Sequence, residues 1–130
     1  DRFETWQQFG LDVARMRQDI RRTIGDLEAA GNRVAGYGAP AKGNTLLSYL
    51  DLGPDDIEYI ADRSALKQGR CTPGTHIPIL PVEEIDRARP DLILILPWNL
   101  QDEIVEQMRH VREWGAKFVV PIPTVSVIAP

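Results

Sequence analysis

Residues 33–50, RVAGYGAPAKGNTLLSYL, contain the feature that decides the fold, because a short apolar segment, a glycine-rich turn and a helical segment follow one another directly. Arg33–Tyr37 has the length and apolar character of a buried strand, and the leucines of Ala41–Leu50 recur at helical spacing. The glycines between them let the backbone turn sharply. A strand, a tight turn and a helix in this order predict one unit of a parallel α/β sheet.

The same alternation continues toward the C-terminus. We predict further strands at 57–61, 91–96 and 117–121, and helices at 81–88 and 102–114. The segment DLILIL at 91–96 is almost continuously apolar, which is typical of a strand that is covered on both faces. The sequence therefore predicts an α/β, Rossmann-like domain of three layers, with a short parallel sheet flanked by helices. For the proline-spaced residues 121–130 we expect a loose tail or an arm.

Toward the N-terminus, residues 3–30 predict one long helix with an apolar stripe. The stripe consists of Trp6, Phe9, Val13, Met16, Ile20, Ile24 and Leu27. Two interpretations are open: the stripe packs on this domain's own sheet, or part of it forms a seam against an upstream domain. We expect a single domain at 1–130, cut from a longer protein, in which residues 1–31 lead to that missing domain.

Composition excludes several classes of function. The net charge of −4 argues against binding to nucleic acid, which requires a basic surface. No apolar run approaches the roughly 20 residues that a membrane helix needs. A single cysteine excludes an internal disulfide and fits a reducing, cytoplasmic compartment.

Open parallel sheets bind ligands beyond the carboxyl ends of their strands. This rule selects four segments that we expect to converge on one edge of the sheet: 36–43, 62–63, 97–99 and 121–123.

The turn 36–43 is the strongest candidate for binding an anion. The helix that follows it presents free N–H groups and the positive end of its dipole, which suit a phosphate. Lys42 adds a positive charge, and Asn44 and Thr45 add hydrogen-bond donors. A tight turn without a ligand is the alternative. Because a cation at a helix start is unfavourable unless an anion is present, we expect Lys42 to bind a ligand rather than to stabilise the fold.

Two known phosphate motifs fit this turn incompletely. The phosphate loop requires lysine directly after its second glycine, where this chain has Asn44, so that motif is rejected. The dinucleotide fingerprint is matched by Gly36 and Gly38, with Ala41 in the third position, and Asp62 stands near the place of a ribose-binding acid. This match supports a NAD- or coenzyme A-binding domain as one alternative.

Other chemistries have little support. Class I methyltransferases usually carry an acid where this chain has Val34, so we do not expect S-adenosylmethionine to bind this domain. Cys71 and His76 are too few for a zinc site, which needs three or four ligands. We predict no catalytic residue and no metal ligand in this chain.

The other segments add polar and aromatic candidates. Residues 67–76 form a donor-rich loop, and Trp98 could stack on a base or a sugar while Asn99 donates or accepts a hydrogen bond. The candidate binding residues are Gly36, Tyr37, Gly38, Ala39, Lys42, Gly43, Asn44, Thr45, Asp62, Lys67, Arg70, His76, Trp98 and Asn99.

Three stretches, GYGAPAKGNTLL at 36–47, KQGRCTPGTHIPI at 67–79 and LPWN at 96–99, resemble the C-terminal domain of S-adenosylmethionine-dependent C-methyltransferases. The family includes enzymes that methylate ring carbons of nucleotide-linked sugars. The resemblance implies a Rossmann-like domain that helps to hold a nucleotide-sugar, with the turn 38–43, Lys42 and Trp98-Asn99 facing it. It also implies that S-adenosylmethionine and zinc are bound by upstream domains, and that the isolated chain transfers no methyl group. A non-catalytic interaction domain, supported by the long first helix, stays open as a further alternative.

Overall fold

The computed structural model describes residues 1–122 and 124–130 and contains six strands and four α-helices in that part of the chain. The helices are α1 (Arg2–Ala29), α2 (Ala41–Leu50), α3 (Glu83–Ala88) and α4 (Gln101–Gln107), with 3₁₀ turns at Trp98–Leu100 and Arg109–Trp114. The strands are β1 (Val34–Tyr37), β2 (Ile60–Ala61), β3 (Ile79–Leu80), β4 (Leu92–Ile95), β5 (Lys117–Val120) and β6 (Ser126–Ile128).

The strands form one sheet in the order β3-β2-β1-β4-β5-β6. Neighbouring strands are parallel except for β6, which runs antiparallel to β5. The α/β class, the mostly parallel sheet flanked by helices and the long N-terminal helix are therefore confirmed.

Strand β4 shows why the sheet is covered on both faces. Leu92 and Leu94 pack with residues of α1 and α2, whereas Ile93 and Ile95 pack on the opposite side with α3, α4 and the 3₁₀ turn 109–114. All four side chains are buried. Because successive side chains of a strand point to opposite faces, only an uninterrupted apolar run satisfies a middle layer of this kind.

Three sequence predictions about secondary structure are corrected. The strand expected at 57–61 is reduced to β2, and β3 follows without an intervening helix. Residues 126–128, within the segment expected to be a loose tail or an arm, instead add β6 to the sheet, since the outer edge of β5 carries backbone groups that need partners. The helix expected at 102–114 changes to a 3₁₀ turn after Met108, and there the Trp114 indole N–H donates to the Pro90 carbonyl at 2.9 Å.

Helix α1 is divided into two halves with different surroundings. Ile20 and Ile24 are buried against the sheet, with Met16 and Leu27 packed beside them, so this half belongs to the core. Residues 1–12 are all exposed. The first interpretation of the apolar stripe is thus confirmed for the C-terminal half of the helix.

Candidate functional site

The order of the strands reverses direction between β1 and β4, and open α/β sheets form their binding crevice at such a point. The turn after β1 and the turn after β4 meet there. A Cβ atom at Gly38 would lie 2.7 Å from Cδ of Pro97, so the two turns are in direct contact. Two of the four segments selected from the sequence, 36–43 and 97–99, are therefore in direct contact.

Glycines shape the first turn in two ways. Gly38 has a φ of +82°, which side chains of L residues rarely adopt, and its N–H donates to the Ala61 carbonyl at 2.7 Å. Gly43 is buried, and a Cβ there would lie 3.0 Å from Cβ of Leu96. Gly43 thus lets α2 pack closely on the end of β4, which is the role of the third glycine in a dinucleotide fingerprint. Ala41, which we aligned with that glycine, is exposed.

Asp62 braces the turn from the neighbouring strand. Its two carboxylate oxygens accept the N–H of Ala39 at 2.8 Å and the N–H of Ser64 at 2.7 Å. Lys67 adds a second brace, because its ammonium donates to the Ala39 carbonyl at 2.9 Å. With both of its oxygens bonded to backbone N–H groups, Asp62 holds the turn in place.

Lys42 extends from the first turn of α2 toward the second converging segment. Its ammonium donates to Oδ1 of Asn99 and lies 4.6 Å from the centroid of the Trp98 ring. The cation–π contact and the hydrogen bond hold the charge at this edge of the sheet. Lys42, Trp98 and Asn99 are therefore brought together as the sequence suggested.

A groove of about 400 Å³ lies between α1, α2 and the ends of β4 and β5. Its lining is mostly apolar, with Lys42 and Thr45 as polar members, and consists of Met16, Lys42, Thr45, Leu46, Tyr49, Trp98 and Ile122. Sequence reasoning missed Met16, Leu46 and Tyr49 as lining residues. The spacing of residues 42, 45 and 49, which places them on one face of a helix, was a signal for Tyr49.

A second, more polar pocket of about 280 Å³ lies on the other side of the α2 N-terminus. It contains Asn44, Lys67 and Arg70 from the sequence prediction, together with the exposed Cys71. Oδ1 of Asn44 is buried and has no hydrogen-bond partner among the described residues. The turn thus separates an apolar groove with one ammonium from a pocket with two cationic side chains.

Several predicted residues lie elsewhere. Gly36 and Tyr37 are buried inside β1, and the Tyr37 side chain packs in the cluster on the face of α3 and α4. His76 lies in the turn 72–76, whose Gly74 approaches Ser48 near the C-terminal end of α2, away from the glycine-rich turn.

Of the segment 121–123, Pro121 is buried and Ile122 lines the groove, while residue 123 is outside the described residues.

The amino edge of the sheet carries a separate ion pair that has a structural role. Arg33 donates to both carboxylate oxygens of Glu58, at 3.0 and 2.8 Å, and to the Ala88 carbonyl. The hydrogen bonds from Arg33 hold the pKa of Glu58 below its usual value. This pair ties β1 to the segment before β2 at the edge opposite the candidate site.

Within residues 1–122 and 124–130, no three His, Cys, Asp or Glu side chains come together in a way that would hold a metal ion. In the same part of the chain, none of the helices combines the length and the apolar character needed to cross a membrane.

Comparison with known proteins agrees with the family resemblance. A family model described as the C-methyltransferase C-terminal domain matches residues 1–123. The chain belongs to this family. It is also 40% identical, over 124 residues, to the C-methyltransferase NovU of Streptomyces niveus. That match covers 95% of this chain but 30% of the relative, so the chain spans about a third of the relative's length.

Proposed function

We propose that this domain serves a C-methyltransferase by holding a nucleotide-linked sugar where the turn 38–43 meets Trp98 and Asn99. The observation that carries the proposal is the position of Lys42. Its ammonium stands at the N-terminal end of α2, at the strand-order reversal and at the rim of an apolar groove. A ligand that bears a phosphate and is partly apolar would match both the positive charge and the apolar lining.

The start of α2 favours the phosphates. Pro40, the residue that precedes the helix, forms no side-chain cap, so the first N–H groups of α2 have no capping oxygen. These groups and the helix dipole attract an anion, and Lys42 on one side and the Lys67–Arg70 segment on the other add positive charge. A diphosphate at this position would be contacted from both sides of the turn.

The groove suits the remainder of the ligand. Trp98 and Tyr49 offer aromatic surface, and Met16, Leu46 and Ile122 complete an apolar lining. Aromatic and aliphatic surface with a few polar groups is typical of small-molecule sites and accepts a base or the less polar face of a deoxysugar.

Methyl transfer itself is assigned to other parts of the enzyme. Val34 stands where class I methyltransferases usually carry the acid that binds S-adenosylmethionine, and the nearby Asp62 already accepts two backbone N–H groups. We therefore place the methyl donor and zinc in the parts of a complete C-methyltransferase that this chain does not represent. The NAD alternative depends on the same acid, and Asp62 would have to accept a ribose hydroxyl in addition to the two backbone N–H groups that it already accepts.

The test is calorimetric titration of dTDP- and UDP-sugars into the chain and its Lys42→Ala variant. A charge-assisted contact contributes about 1.5–3 kcal/mol, so we expect the affinity to fall about tenfold or more, and further in Lys42→Glu. From the sequence we expected that Lys42 does not stabilise the fold. Because its ammonium contacts Trp98 and Asn99, we instead expect Lys42→Ala to lower stability by about 0.5–1 kcal/mol. Lys117→Ala, at the exposed start of β5, is the matched control and should leave the affinity unchanged.

Equal affinity of the parent chain and Lys42→Ala for every sugar nucleotide would refute the site. Tighter binding of NAD than of either sugar nucleotide would favour the dinucleotide alternative instead.

A further inference from the structure

The N-terminal half of α1 carries an apolar surface that residues 1–122 and 124–130 leave exposed. Trp6 is 69% exposed and Phe9 is 59% exposed, and their rings contact each other edge to face with centroids 5.9 Å apart. Phe3 is 69% exposed and lies one turn before Trp6. Large aromatic side chains grouped on one exposed surface are typical of interaction sites.

This surface continues the face of α1 that enters the core. Trp6, Phe9 and Val13 are followed at steps of three and four residues by Met16 and Ile20, which places all five on one side of the helix. Ile20 is fully buried. The change from exposed to buried along one stripe shows where the sheet ends beneath the helix.

The uncovered half projects beyond the carboxyl edge of the sheet, where the candidate site lies. Asp12 and Met16 line a depression together with Thr124 and Val125, in the connection that leaves β5 at this edge. Met16 also lines the groove next to Lys42. Residues 1–12 therefore extend outward beside the mouth of that groove.

The N-terminal half of α1 gains little stability from packing within the described part of the domain, because residues 1–12 are exposed. Most helix stability in proteins comes from packing of an apolar face. The Asp1 side chain accepts the N–H of Glu4 but covers no apolar surface. A partner that covers the apolar face would therefore stabilise the exposed half of α1.

We propose that the stripe Phe3–Trp6–Phe9 is the docking surface for the methyl-transferring part of the enzyme. This inference rests on the proposed function, because a methyl donor must approach a sugar held at the carboxyl edge, and the stripe is the apolar surface that projects there. The length of the relative supports this occupant over a second copy of the chain, since the match covers 30% of the C-methyltransferase NovU.

The test compares hydrogen exchange in two proteins. One is the present chain alone, and the other is a chimera in which this chain replaces the matched 124-residue segment of the Streptomyces niveus relative. We expect the amides of residues 4–12 to exchange at least tenfold more slowly in the chimera. Trp6→Glu combined with Phe9→Glu should abolish this protection. Leu66→Glu is the matched control. Leu66 is 81% exposed and lines the second pocket, to which residues 3–9 do not contribute, so the variant should preserve the protection.

A second arm uses the two parts of the chimera as separate chains produced in one cell. Copurification that Trp6→Glu abolishes and Leu66→Glu preserves supports the proposal. Three results would overturn it. They are equal exchange in the two proteins, a failure of the two parts to copurify, and a dimer of the chain alone that Trp6→Glu dissociates. Titration of sugar nucleotides into the chain alone does not involve residues 3–9, so failure of the binding site and failure of the docking surface are told apart.

Discussion

Gly38 is the position where a single methyl group should disturb the candidate site most. Its φ of +82° costs an L residue roughly 1–2 kcal/mol. A Cβ atom would also lie 2.7 Å from Cδ and 2.9 Å from Cγ of Pro97, and a proline ring cannot rotate away. Such overpacking adds roughly 1–3 kcal/mol. We therefore expect Gly38→Ala to lower the free energy of unfolding by about 3 kcal/mol, or Tm by roughly 10 °C.

Gly69 provides the matched control. Its φ is +83°, almost the same as that of Gly38, but a Cβ there would meet nothing within 4 Å. Gly69→Ala should therefore show the backbone cost alone, about 1–2 kcal/mol. Both variants are measured by urea and thermal unfolding, with titration of a dTDP-sugar beside them. Equal losses of stability in the two variants would show that the contact with Pro97 is unimportant and would refute the close approach of the two turns.

Two further predictions concern the braces of the sheet. Asp62→Ala removes the acceptor of two backbone N–H groups, so we expect a loss of about 2–3 kcal/mol in urea unfolding, and a loss below 0.5 kcal/mol would contradict the bracing role. Because Arg33 lowers the pKa of Glu58 from 4.5, the pair stabilises the fold fully above about pH 4.5 and loses its effect as the pH falls through the lowered pKa. Glu58→Gln should accordingly lower stability by about 0.5 kcal/mol at pH 7, since the pair is roughly half exposed, and by nothing in strong acid. A difference in Tm that stays constant from pH 7 to the acid limit would exclude this linkage.

Part of the candidate site followed from local sequence alone. Gly38, Lys42 and Trp98-Asn99 each stand directly after an apolar strand or at the start of a helix, and parallel strands bring their carboxyl ends to one edge. Their convergence was therefore predictable, and the contacts of Lys42 with Trp98 and Asn99 agree with it. The position of Asp62 at the end of a strand was equally clear from the sequence. Its hydrogen bonds were not predictable, because they depend on how two turns from different strands approach each other.

The sequence by itself determined the layers of this protein, because the periods of its apolar residues differ between strands and helices. DLILIL has the length and the almost continuous apolar character of a strand buried on both faces. Only the tertiary structure decided which features of those elements serve the site. β6 forms because β5 has an open edge. Gly43 rather than Ala41 meets the end of β4 because of where α2 packs. Met16 reaches the groove only because α1 passes beside the end of β5. The same holds for the long helix, whose stripe is continuous in sequence. Its change from core to exposed surface near Val13 is set by where the sheet ends beneath it, a property of the assembled layers and not of the helix.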